Sequence, residues 1–97
     1  MAIIISLAVR QKLANKFPPV KGRHIIQCFQ NRAGRILVDK RAKHRTNPVT
    51  KWFIAETDRG RKLKVVFITQ ASGDHVIKTA YVPSIAEERI YEKKAFS

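Results

Sequence analysis

TKWFIAETDRGRKLKVVFITQASGDHVIKTAY, residues 50–81, is the stretch whose reading decides the fold. Three runs rich in β-branched and aromatic residues, 50–57, 61–69 and 74–81, are parted by two short breaks, 58–60 and 70–73, each holding a glycine. Such runs read as strands, and breaks of hairpin length join neighbours antiparallel. A three-residue loop pairs Thr57 with Arg61, which sets Glu56 opposite Lys62, Ile54 opposite Lys64 and Trp52 opposite Val66. A four-residue loop pairs Thr69 with Asp74, which sets Lys64 opposite Thr79 and Lys62 opposite Tyr81.

Side chains alternate across a strand, so this register sorts the meander into two faces. Phe53, Ala55, Leu63, Val65, Phe67, Val76 and Ala80 share one, with Lys78 intruding among them. It is the expected core face. Trp52, Ile54, Val66 and Ile77 share the other with Glu56, Lys62, Lys64, Thr79 and Tyr81, the polar members gathered at one end.

Outward from the meander, residues 2–5 read as a short strand. Ser6 is an expected N-cap for a helix over 7–16, with Val9, Leu13 and Phe17 on one face, stopped by Pro18-Pro19. A second helix is expected over 21–32, with Ile25, Ile26 and Phe29 inward. Residues 35–38 make another short strand, followed by the polar loop DKRAKHRTNP, 39–48. Downstream, Ser84 and Glu87 form a capping box for a helix over 84–94, whose expected packing stripe is Ile85, Ala86, Arg89 and Ile90. The expectation is one α+β domain over 1–97: two N-terminal helices, a four-stranded antiparallel meander with helices on one face, and a C-terminal helix.

The chain carries 20 Lys and Arg against 7 Asp and Glu, a formal charge of +13 on 97 residues. So strong an imbalance suits an anionic partner, with RNA or DNA first, an acidic protein second and a membrane surface third. The apolar start, MAIIISLAV, is too short for a span and has no signal-peptide pattern, so a soluble cytoplasmic protein is expected, with no membrane partner. The single cysteine, Cys28, excludes an intrachain disulfide and fits a reducing compartment. Three scattered histidines show no ligand spacing, and no glycine-rich phosphate loop is present, so neither metal nor cofactor is expected.

Cleaving RNA through its own 2′-hydroxyl needs a base, cations at the phosphate and an acid for the leaving oxygen, without a metal. The polar end of the second face offers these parts. Glu56 is the candidate base, with His44 of the basic loop as the alternative acid or base. Lys62 and Lys64 are the candidates to hold phosphate, helped by Arg61, with Arg41, Lys78 and Thr79 as further expected RNA contacts. Tyr81 is the candidate acid or donor, and Trp52 is expected to stack on a base. Against this stands the ordinary reading: a Glu opposite a Lys across a hairpin is a routine surface pair.

The segments WFIAETDRGRKLKVVFI and GDHVIKTAYVPSIAEERIY resemble the BrnT toxin family, within the RelE-like group of bacterial ribonuclease toxins. The resemblance rests on Gly60-Arg61, the Leu63 to Phe67 strand, the Ile77 to Ala80 strand, Glu88 and Tyr91. It covers roughly residues 25–91. Tyr81 departs from the pattern, which has an arginine there. The resemblance implies a small ribonuclease fold, translation as the target, possible ribosome association, and a cognate antitoxin through which alone DNA is contacted. Two other readings remain open: a non-catalytic nucleic-acid-binding module, and a domain whose basic face docks an acidic protein.

Overall fold

The computed structural model describes residues 2–41 and 47–97. Among these residues eight elements follow in order: β1 (Ile3–Ile4), α1 (Leu7–Ala14), α2 (Gly22–Asn31), β2 (Leu37–Val38), β3 (Thr50–Glu56), β4 (Lys62–Thr69), β5 (His75–Tyr81) and α3 (Ile85–Ala95). The sheet has five strands in the order β1-β5-β4-β3-β2. All neighbours are antiparallel except β1, which runs parallel to β5 with Ile3 beside His75. The α+β class holds, but the expected four-stranded antiparallel sheet is a five-stranded mixed one. The physical reason is that α1 and α2 carry the chain across the sheet from β1 at one edge to β2 at the other, and the meander then returns β5 to the side of β1 in the parallel sense.

The β3–β4 hairpin follows the register read from its loop, Glu56 opposite Lys62 through Thr50 opposite Ile68. Its turn closes through Gly60 N–H to Thr57 O at 2.9 Å, and Arg61 N–H also donates to the buried Thr57 Oγ1. Gly60 takes φ of 85°, a left-handed value that suits glycine in such a loop.

The β4–β5 register differs. Thr69 pairs with His75 rather than Asp74, because Gln70 N–H bonds Asp74 O and sets those two residues opposite each other, which leaves a three-residue loop, 71–73, in place of the expected four. A second offset follows: Phe67 pairs with Ile77 but Val66 pairs with Thr79, which makes Lys78 the extra residue of a bulge. Between the two offsets the faces invert. Ile77, not Val76, is the core residue at 1% exposure, and Lys78 is exposed at the bulge rather than intruding on the core. Beyond the bulge the two slips sum to an even number. Tyr81 and Thr79 therefore return to their expected face, though Tyr81 now sits opposite Lys64.

Helices lie on both faces, which corrects the one-sided arrangement. On the first face α2 inserts Phe29 edge-on against Phe53 and Phe67, with centroids 4.8 and 5.3 Å away. Buried Ile25 and Cys28 join them, and α1 packs beside α2 against β5 through Leu13. The second face carries α3, whose Tyr91 ring lies 5.6 Å from Trp52. The capping box of α3 forms as read: Glu87 N–H donates to Ser84 Oγ and Ser84 N–H to Glu87 Oε1. Its packing stripe does not. Tyr91 and Ala95 are buried, whereas Ile85 is 68% and Ile90 46% exposed. Helix periodicity allows more than one stripe, and the sheet selects another: Glu87 and Glu88 pair with Lys64 and Lys62, while Tyr91 and Ala95 are buried, Tyr91 against Trp52. No helix among the described residues is long and apolar enough to cross a membrane.

Candidate functional site

Helix α3 crosses the face on which Glu56, Lys62, Lys64, Trp52, Thr79 and Tyr81 were expected to form one open patch. It divides them. Glu56 and Lys62 line a groove of about 540 Å³ on one flank, with Asp58, Glu88, Glu92 and Phe96. Trp52 and Lys64 line a larger cleft of about 890 Å³ on the other, with Asp39, Arg41, Glu87, Lys93 and Lys94. Thr79 is half-buried on the same face, opposite Val66.

Lys64 is 6% exposed. Burying an ammonium is costly unless it is paired and hydrogen-bonded, and one carboxylate and two aromatic rings meet it here. Its Nζ donates to Glu87 Oε2 at 2.7 Å and sits 4.5 Å from the Trp52 ring centroid and 5.6 Å from that of Tyr81. Tyr81 Oη donates to the same Glu87 oxygen at 2.8 Å. Burial pushes the Glu87 carboxyl upward, but the bonds from Lys64, Ser84 and Tyr81 prevail and bring it down to about 2. Burial, then the bond to Glu87, raises the Tyr81 hydroxyl, which keeps it a donor at neutral pH.

Lys62 pairs with Glu88 at 2.7 Å. Both side chains are substantially exposed, so this contact orients more than it stabilises. Glu56, its cross-strand partner, is exposed.

Arg61 points to the opposite face. Its guanidinium donates to Pro18 O and Pro19 O, each at 2.8 Å, and ties the hairpin to the connector between α1 and α2. Sequence position beside Lys62 hides this, because alternate residues of a strand face apart. Trp52 is half-buried, with Lys64 over its ring and Tyr91 beside it, rather than an open platform. Lys78 stands apart on the bulge.

Arg41 extends along the larger cleft, held by Asp39 through Nε and Nη2. His44 lies outside the described residues. The structure thus brings Arg41, Lys64, Tyr81 and Trp52 together and separates Glu56, Lys62, Arg61 and Lys78 from them. Sequence reasoning missed Asp39 and Glu87. The signal for Glu87 was present in half: a capping box occupies one carboxylate oxygen and leaves the second for another donor.

Among the described residues no three His, Cys, Asp or Glu side chains gather as a metal site. Cys28 is buried, its thiol pushed up to about 11 chiefly by burial, so it packs rather than reacts. No protein-family model, curated protein or solved structure matches the chain.

Proposed function

We propose that the chain is a metal-independent endoribonuclease of the bacterial toxin type, acting on RNA at the cleft on the Arg41 and Lys64 flank of α3 and restrained by a cognate antitoxin. The observation that supports this reading is the cleft itself. Arg41, Lys64, Lys93 and Lys94 line it, above a hydroxyl donor, Tyr81, that shares the carboxylate of Glu87. In this reading the rim cations hold the phosphodiester and the fixed charge of Lys64 offsets charge developing at phosphorus. Tyr81 turns its one proton, given to Glu87 in the free protein, to the leaving oxygen as the phosphorus–oxygen bond breaks. Glu56 belongs to the other groove, and the low pKa of Glu87 makes it a weak base, so the reading assigns the 2′-hydroxyl proton to His44.

The test is incubation of the purified chain with RNA in EDTA, with free transcripts and with translating ribosomes. Cleavage leaving 2′,3′-cyclic phosphate ends, lost in His44→Ala and weakened in Arg41→Ala, is the expected result. Intact RNA in every case overturns catalysis.

One observation favours a second reading, a non-catalytic RNA-binding module: Lys62 and Lys64 are both already paired with carboxylates. It is distinguished by binding that weakens steeply with salt and yields no products.

A further inference from the structure

We infer that Asp39 is a positioning residue that braces Arg41 as the seat of a ribonucleotide phosphate at the cleft, an inference that rests on reading this cleft as the RNA site.

The argument begins at the end of β2. Val38 pairs with Lys51 of β3, and the next residue extends the pairing, Asp39 N–H donating to Thr50 O at 2.8 Å. The backbone of Asp39 is therefore set by the sheet. Its carboxylate then receives three bonds from one residue: Arg41 N–H at 3.1 Å, Nε at 3.1 Å and Nη2 at 2.8 Å. The Asp39 side chain is 8% exposed and that of Arg41 60%. The carboxylate is hidden and the guanidinium is presented.

An exposed Arg–Asp pair usually contributes little, because two long side chains must be held in one geometry. Here the sheet fixes the acid and the turn fixes the base, so that cost is already met in the fold. The Asp39-facing edge of the guanidinium is used, and its outer edge carries the remaining N–H bonds in a planar fork. That fork matches two phosphate oxygens, which a lysine ammonium does not. Pre-orientation of this kind raises affinity by lowering what binding must order.

The surroundings suit an anion. Among the described residues five cationic ones line the cleft, Lys40, Arg41, Lys64, Lys93 and Lys94, against two carboxylate side chains. Both carboxylates are engaged, Asp39 by Arg41 and Glu87 by Lys64 and Tyr81.

Trp52 is the only tryptophan of the chain and lies under the Lys64 ammonium in this cleft, so its fluorescence reports on an arriving anion. The full-length chain is titrated with inorganic phosphate and, separately, with adenosine 3′-phosphate, while thermal melting is recorded for each variant. The wild type is expected to give a saturable change with both, tighter for the nucleotide if the cleft also holds the nucleoside. Equal affinity for the two assigns the site to phosphate alone. Arg41→Lys keeps the charge but loses the fork and is expected to weaken binding about tenfold. Asp39→Asn weakens it by a similar factor, Asp39→Glu restores part of it, and the double variant is no weaker than Arg41→Lys.

Wild-type affinity in a folded Asp39→Asn, or no saturable change with either probe, overturns the inference. Should Asp39→Asn fail to fold, Arg41→Gln decides, and unchanged affinity there overturns it. Asp39-dependent phosphate binding without RNA cleavage keeps the seat and removes the nuclease. Cleavage that is indifferent to both residues keeps the nuclease and removes the seat.

Discussion

The Lys64 ammonium lies 2.7 Å from Glu87 Oε2, so the lysine that the sequence offers to a phosphate is held by the protein's own C-terminal helix. The two partners are unequally buried, with side-chain exposures of 7% and 25%. Removing the acid leaves a buried cation, whereas removing the base leaves a carboxylate that Tyr81 and Ser84 still serve. Glu87→Ala is therefore expected to cost about 3 kcal/mol and Lys64→Met only about 1 kcal/mol. The double variant costs less than the two added together. Urea unfolding of all three at neutral pH measures this, and equal single costs would remove the burial argument.

Acid acts on the same pair. The folded carboxyl of Glu87 sits at about 2 against an ordinary 4.5. Its contribution is complete above the ordinary value and is lost as pH falls toward 2, because only the unfolded chain takes up the proton in between. The urea midpoint should drop between pH 5 and pH 3, and less steeply in Glu87→Gln.

Arg61 gives a prediction opposite to the one its neighbourhood suggests. Its guanidinium is engaged by two proline carbonyls on the face away from the cleft. Arg61→Lys keeps the charge and loses the fork, so stability is expected to fall by about 1–2 kcal/mol. RNA affinity and its salt dependence should stay at the wild-type level. A folded variant with weakened RNA binding and unchanged melting temperature would return Arg61 to the phosphate-binding set.

What was legible in the sequence was what local rules determine. The three-residue loop at Gly60 fixed the β3–β4 register, and Ser84 with Glu87 fixed the start of α3. The bulge at Lys78 was not legible, because a two-versus-one pairing leaves no mark in the alternation until the partner strand is known. Its effect was concealed as well: together with the one-residue slip at the turn it restored Tyr81 to the expected face. The docking of α3 was hidden for a different reason. Its apolar residues Ile85 and Ile90 point outward, and its sheet-facing side combines buried Tyr91 and Ala95 with ion pairs to Lys62 and Lys64 of a distant strand.

Gly34 precedes β2 and tests how closely α3 must approach. A Cβ placed there would stand 2.7 Å from Tyr91 Oη and 2.9 Å from the Ala95 side chain. Tyr91 is pinned by the hydrogen bond it donates to Arg35 O at 2.9 Å, so it cannot yield without losing that bond. Gly34→Ala is expected to destabilise by about 1–3 kcal/mol, with the end of α3 lifting first. Hydrogen exchange should show faster amides across residues 91–95 and unchanged protection in β4. Gly60→Ala, strained by φ of 85° but with open space around it, should cost about 1 kcal/mol and leave α3 protected.

His24 and His75 make stability pH-dependent near neutrality. Burial is the first cause that lowers each below the ordinary 6.5, followed by Arg23 for His24 and Lys51 for His75. The bonding agrees with neutral rings. His24 Nδ1 accepts Lys21 N–H at the start of α2, which a protonated Nδ1 cannot do. Thr69 Oγ1, which accepts from Lys51 Nζ, lies 2.9 Å from His75 Nδ1, a contact a neutral ring can make, and the Lys51 charge beside it opposes protonation. In the window just below 6.5 the unfolded chain therefore binds more protons than the folded one, and stability rises with pH. The urea midpoint should be lower at pH 5.5 than at pH 7.5. His75→Gln and His24→Gln should each flatten part of that slope, and a wild-type midpoint that is constant or falls across this range would show that the rings are not held neutral.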